Sequence, residues 1–74
     1  MIMACIDADG TLTLTGKFLL KELDKQPLPP QEIAKAIGEP VFKVRGRLRE
    51  LVGAGFIEEQ GGDFCITEEG KAKL

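Results

Sequence analysis

The sequence predicts a small α+β domain in which three helices are followed by a C-terminal β-hairpin. Two short amphipathic segments, at about 30–37 and 40–54, lie on either side of a tight turn and are typical of helices. Two alternating segments then follow, separated by Gly61-Gly62, which is a two-residue hairpin signal. This order of elements within about forty residues leaves very few architectures.

The 74-residue chain is long enough for one domain with a single core. A chain of this size buries roughly 60% of its unfolded surface, which leaves little room for an enclosed catalytic cleft. Cys5 and Cys65 without any histidine cannot complete a tetrahedral zinc site within one chain. We therefore expect no enzymatic activity, no metal and no cofactor.

The location of the protein is predicted from what the N-terminus contains. The apolar segment 1–6 ends at Asp7 and is too short for a signal peptide or a membrane span. We expect a cytoplasmic protein that does not associate with membranes and whose cysteines are reduced. A Cys5–Cys65 disulfide remains an alternative only if two strands bring the cysteines together.

The first part of the chain predicts an arm and one helix. Residues 1–15 form an N-terminal strand or arm with a turn at Asp9-Gly10, and residues 16–74 form the domain. Thr15 is the predicted cap of a first helix that ends near Lys25. The helix has a wide apolar surface, made of Leu14, Phe18, Leu19, Leu20 and Leu23. Leu28, among three prolines that end the helix, is predicted as a core plug or a one-residue strand.

The second helix runs from about Pro30 to Ile37, and Gly38 supplies a left-handed stop. Pro40 opens the third helix. With 100° of rotation per residue, a helix here has five apolar residues on its inner face: Val41, Val44, Leu48, Leu51 and Val52. In the hairpin, one face is predicted to meet the helices and to carry Phe56, Phe64 and Ile66. Cys65 faces outward, and Thr67 caps a final turn.

Positive charge is concentrated on the third helix although the chain carries a net charge of −2. Segment 39–55 has a net charge of +2, whereas the segments before and after it have −1 and −3. Four of the ten basic residues lie within seven positions: Lys43, Arg45, Arg47 and Arg49. The distribution of charge, more than its sum, indicates nucleic-acid binding.

From Ile33 onward the chain resembles the winged helix-turn-helix family of bacterial and archaeal transcription regulators. The matching residues are Ile33, Ala34, Ile37 and Gly38; Val44, Leu48 and Leu51; Gly55, Phe56 and Ile57; and Ile66, Thr67 and Gly70. The resemblance covers about residues 17–74 and is specific for the fold, because most of these positions belong to the core.

The resemblance implies sequence-specific binding of double-stranded DNA by a small transcription regulator. The third helix would lie in the major groove, with the 58–64 hairpin as the wing. The implied DNA-binding residues are Lys35, Phe42, Lys43, Arg45, Gly46, Arg47 and Arg49. Arginine and lysine suit this role because they neutralise phosphate and bond guanine edges. Regulators of this kind bind as two-fold dimers, and the apolar surface of residues 1–20 is the predicted homodimer contact.

Two departures from the family pattern favour alternatives. Glu39-Pro40 stands where the family has serine or threonine, and the wing is acidic, with Glu58, Glu59 and Asp63. One alternative is a winged helix that binds an acidic protein partner. Another is a solvated basic face with ion pairs inside the molecule, such as Glu39 with Lys43, or Arg47 or Arg49 with Glu50.

The segment IDADGTLT, at 6–13, resembles the first motif of the haloacid dehalogenase phosphatases. In that family Asp7 would be the nucleophile and Asp9 the acid/base, with magnesium between them. The resemblance covers a dozen residues, and the rest of the chain is predicted as helices and a hairpin instead of a doubly wound domain. An Asp-Gly turn is therefore the favoured interpretation.

Overall fold

The computed structural model of the protein describes residues 12–74. These residues form the α+β layout of a winged helix-turn-helix, with an antiparallel hairpin after three helices. The elements are α1 (Leu14–Lys25), α2 (Pro30–Ile37), α3 (Val41–Gly53), β1 (Ile57–Gln60), β2 (Asp63–Ile66) and α4 (Glu68–Ala72). Short helix α4 occupies the place of the predicted final turn. Within 12–74, every helix is too short or too polar to cross a membrane.

A single apolar core lies between the first three helices and the hairpin. Its buried members are Leu12, Leu19, Leu20, Leu23, Ile33, Ala34, Val44, Leu48, Leu51, Phe56 and Ile57. Three apolar residues of the helices are exposed, and of these only Val52 is predicted from the sequence to face the core. Leu14 and Phe18 lie on the outer side of α1. Val52, which was placed on the inner face of α3, is 41% exposed because it lies at the edge of the apolar stripe.

Helix α1 begins two residues earlier than the sequence predicts. The Thr13 hydroxyl accepts a hydrogen bond from the Gly16 amide at 3.2 Å and caps the helix, so Thr15 is not the cap. The earlier start adds a helical bond from the Lys17 amide to the Thr13 carbonyl at 3.0 Å. Residues 1–11 of the predicted arm, with Cys5, Asp7 and Asp9, lie outside the described residues, and its last two residues, Leu14 and Thr15, belong to α1.

Leu28 forms the predicted one-residue strand. Its amide donates to the Phe64 carbonyl at 3.2 Å, and the Phe64 amide donates back to the Leu28 carbonyl at 2.8 Å. The two bonds attach the connection between α1 and α2 to β2. As a result β2 has a backbone partner on both sides, whereas β1 pairs only with β2 within residues 12–74.

The hairpin turns at Gly61 and Gly62, whose φ angles of 60° and 92° are both positive. Two consecutive positive φ angles are typical of a type I′ turn, as the Gly-Gly pair predicts. Ile57 pairs with Ile66, and the register puts Phe64 on the same side. Phe56 is buried but precedes β1, so Ile57 takes the core position in the strand. The Cys65 thiol is free and lies opposite Glu58 on the outer side.

Thr67 joins the end of α3 to α4 by three hydrogen bonds. Its hydroxyl accepts from the Gly70 amide at 3.1 Å and donates to the Gly55 carbonyl at 2.6 Å. Its amide donates to the Phe56 carbonyl at 3.0 Å. Gly70 is buried and packs directly on Phe56. The predicted cap is therefore confirmed, and it also holds the root of the hairpin against α3.

Candidate nucleic-acid interface

A three-residue turn, Gly38–Pro40, sets the direction of α3. Gly38 has a φ of 71°, a left-handed conformation that glycine adopts without a Cβ clash. The amides of Gly38 and Glu39 both donate to the Ala34 carbonyl, at 2.9 and 3.1 Å, and close the end of α2. Pro40 precedes α3 in an extended conformation, and no side chain caps the new helix. The predicted stop at Gly38 is confirmed.

The outer face of α3 collects most of the sequence-predicted site. Five of the seven predicted residues are exposed on it: Phe42, Lys43, Arg45, Gly46 and Arg49. The Phe42 side chain is 71% exposed, which is unusual for a large apolar group. Within residues 12–74, Lys43, Arg45 and Arg49 form no ion pair. The helix therefore presents three cations and one aromatic ring to solvent, on the side opposite Val44, Leu48 and Leu51.

Arg47, which the family resemblance implies as a DNA-binding residue, is largely buried in an ion pair. Its Nη2 atom donates to Glu39 Oε1 at 2.7 Å, and only 10% of its side chain is exposed. Glu39 lies in the turn, with 26% of its side chain exposed, so the pair is partly shielded from water. The predicted pairing of Glu39 with Lys43 is replaced by this one. Arg47 thus connects the middle of α3 to the turn before it.

Lys35 lies on α2, away from the other predicted site residues in sequence. Its Nζ atom is 3.5 Å from Glu32 Oε2, and both side chains are more than half exposed. An exposed pair of this kind contributes little to stability, so a phosphate would compete easily for the lysine. Lys35 remains accessible to a polyanion.

Gly46 lies in the middle of α3, where a Cβ atom would have no neighbour within 4 Å. The Gly46→Ala variant is expected to stabilise the domain by up to about 1 kcal/mol, because alanine loses less backbone entropy in a helix. Thermal unfolding followed by circular dichroism would measure the change. A lower melting temperature would contradict the open surroundings of this position.

A groove separates α3 from the hairpin. We call it the helix–hairpin groove. Its floor is apolar and consists of Pro30, Leu48, Val52 and Phe64. Arg45 and Arg49 form one wall, Glu59 belongs to the opposite wall, and the space between them is about 300 Å³. Sequence reasoning missed the groove because it assigned Val52 to the core. The four-residue spacing of the two arginines was the available signal.

The hairpin carries acidic side chains where the family resemblance implies a DNA-contacting wing. Glu58 and Glu59 are exposed, and the side-chain Nε2 of Gln60 donates to Glu58 Oε1 at 2.7 Å. No lysine or arginine occurs between Ile57 and Ile66. The positive surface therefore belongs to α3 and does not extend onto the hairpin.

Comparisons of the chain with protein-family models, with curated proteins and with solved structures found no match. Within residues 12–74, no three histidine, cysteine, aspartate or glutamate side chains are grouped so that they could hold a metal ion. Among the described residues, the exposed cations of α3 are therefore the feature that best indicates a binding function.

Proposed function

We propose that the protein binds double-stranded DNA through the outer face of α3 and acts as a small transcription regulator. The observation that carries the proposal is a set of three exposed cations on the second helix of a helix-turn-helix. Lys43, Arg45 and Arg49 have no carboxylate partner among the described residues. Cations in this position neutralise phosphates and reach base edges in the major groove.

The residues have different roles in the proposed complex. The first turns of a recognition helix approach the bases most closely, so Phe42 contacts a thymine methyl group and Lys43 contacts a guanine edge or a phosphate. Arg45 and Arg49 lie further along the helix and contact the phosphate backbone, and Lys35 does so from α2. Gly46, which has no side chain, allows the helix to lie close to the DNA. Arg47 acts through Glu39 and not on DNA.

The acidic hairpin does not press against phosphate in this proposal. Exposed Glu58 and Glu59 would be repelled by a DNA backbone, which carries one charge per 3.4 Å of each strand. In this proposal the helix carries the DNA contact, and Glu58 and Glu59 make none. This arrangement differs from the one implied by the family resemblance, in which the wing touches DNA.

The proposed regulator acts in the cytoplasm as a homodimer, without a catalytic step or a cofactor. Leu14, 83% exposed, and Phe18 supply apolar surface at the start of α1. Burying such side chains against a second copy would favour association, because apolar area is removed from water. A two-fold dimer would place two α3 helices on half-sites about one helical turn apart.

Duplex binding is expected to weaken steeply as salt rises, because binding releases counterions from the DNA. The Lys43→Ala variant should lower the slope of log K against log salt by about one. Fluorescence anisotropy with a labelled random-sequence duplex, at several salt concentrations, measures this slope. Lys21→Ala is the matched control, because Lys21 is an exposed lysine on α1, outside the α3 face.

Two results would overturn the proposal. One is the absence of duplex retention at low salt. The other is an equal loss of slope in the Lys43→Ala and Lys21→Ala variants, which would show that only net charge matters. A normal far-UV spectrum for both variants excludes unfolding as the cause.

A further inference from the structure

We propose that the helix–hairpin groove binds an acidic segment of a partner protein, which inserts one bulky apolar side chain between α3 and the hairpin. This inference goes beyond DNA binding because it assigns a protein partner to the side of α3 that faces the hairpin. It uses three features of the groove: its apolar floor, the two arginines on one wall and the carboxylate on the other.

The floor selects for an apolar group. Leu48 is almost completely buried, whereas Val52 is 41% exposed and Phe64 is half-buried, so the groove leaves apolar surface in water. Covering that surface is favourable by roughly 25 cal/mol for each Å² removed from water. A volume of about 300 Å³ lies at the lower end of ligand-pocket sizes and fits a short segment with one inserted side chain.

The walls select for negative charge on one side only. Arg45 and Arg49 lie one helical turn apart and make no ion pair within residues 12–74. Arginine binds carboxylates with two parallel hydrogen bonds, so two acidic residues one turn apart on a partner helix would match them. Charge complementarity of this kind increases association rates and fixes the orientation of the partner.

Glu59 on the opposite wall favours a peptide over a nucleic acid as the occupant. A nucleic-acid strand carries a phosphate on every nucleotide, so it would bring negative charge against Glu59 wherever it lay in the groove. A peptide can place carboxylates beside the arginines and a neutral or basic residue beside Glu59. Because Arg45 and Arg49 are shared, the peptide and the duplex would compete for the protein.

The test uses the full chain and a capped, helix-forming peptide of about twelve residues. The probe has two glutamates one helical turn apart, with a leucine between them on the same face. Two control peptides replace the glutamates by lysines or the leucine by alanine. Titration of the ¹⁵N-labelled protein is expected to shift the amides of 45–52 and 59–64, with a Kd below about 1 mM for the probe alone. Duplex should displace the probe.

Three variants separate the peptide site from the DNA site. The Val52→Ser variant should weaken peptide binding about tenfold and leave duplex affinity within about twofold, because Val52 contributes only to the apolar floor. The Lys43→Ala variant should do the reverse. The double substitution Arg45→Gln and Arg49→Gln should weaken both.

The proposal is overturned if the probe shows no saturable shifts, or if either control peptide binds as well as the probe. It is also overturned if Val52→Ser leaves peptide affinity unchanged, or if duplex DNA shifts the amides of Glu59 and Phe64 more than the peptide does. Duplex affinity is measured on the same samples. A failure of the peptide site is therefore distinguishable from a failure of DNA binding.

Discussion

The Gly70→Ala variant is expected to lose about 3 kcal/mol of unfolding free energy, near the upper end of the usual cost of overpacking. A Cβ atom at position 70 would overlap the Phe56 carbonyl oxygen and lie 2.8 Å from Ile66 Cγ1. The carbonyl cannot move freely, because it accepts the Thr67 amide at 3.0 Å. For a chain of this length such a loss would lower the melting temperature by roughly 10–20 °C.

Thermal and urea unfolding followed by circular dichroism would measure this loss. Gly46→Ala is the matched control, because it makes the same substitution in a helix where the added methyl group has no neighbour within 4 Å. The two variants should therefore change stability in opposite directions. A melting temperature of Gly70→Ala within a few degrees of the parent would show that α4 is not seated on Phe56.

Changes at the Glu39–Arg47 pair are expected to shift duplex affinity in opposite directions. In the parent, Arg47 neutralises a carboxylate that lies just before α3, at 2.7 Å. The Arg47→Gln variant leaves that carboxylate beside the DNA-facing surface and should weaken duplex binding by on the order of tenfold, because like charges repel across an interface. The Glu39→Gln variant removes a carboxylate from the turn before α3 and should strengthen binding, because less negative charge then lies beside the DNA.

The double variant, with both Glu39→Gln and Arg47→Gln, separates the effect of charge on duplex affinity from the effect of the ion pair on stability. It should bind duplex with nearly the parent affinity, since the charges removed cancel, although it lacks the ion pair. Anisotropy titrations at several salt concentrations give the affinities, and urea unfolding gives the stabilities. Weaker binding by Glu39→Gln would mean that the carboxylate itself supports the complex, and the neutralising role of Arg47 would then be wrong.

Short-range patterns predicted much of this fold because their causes are local. Gly61-Gly62 predicted the hairpin turn, since two positive φ angles there are accessible to glycine. Gly38 predicted the end of α2 for the same reason. Of the five residues placed on the inner face of α3, Val44, Leu48 and Leu51 are buried, because a helix repeats every 3.6 residues.

The candidate site was only partly predictable. Phe42, Lys43 and Arg49, which the family resemblance implies as DNA-binding residues, are all exposed on α3. The pairing of Arg47 with Glu39 was not predicted, because it depends on how the turn before α3 returns the chain to the helix. Nor could helical periodicity place Val52 beside Glu59 and Phe64, because their proximity depends on the angle between α3 and the hairpin.

The amino-acid sequence alone determined the helices and strands, their order along the chain and the concentration of cations on one helix. These features depend on neighbouring residues and on helical spacing. Packing between elements decided which cations stay available. It turned Arg47 inward onto Glu39 and left Lys43, Arg45 and Arg49 exposed. The physical reason is that a charge on a helix can be paired only by groups that the tertiary fold brings within a few ångströms of it.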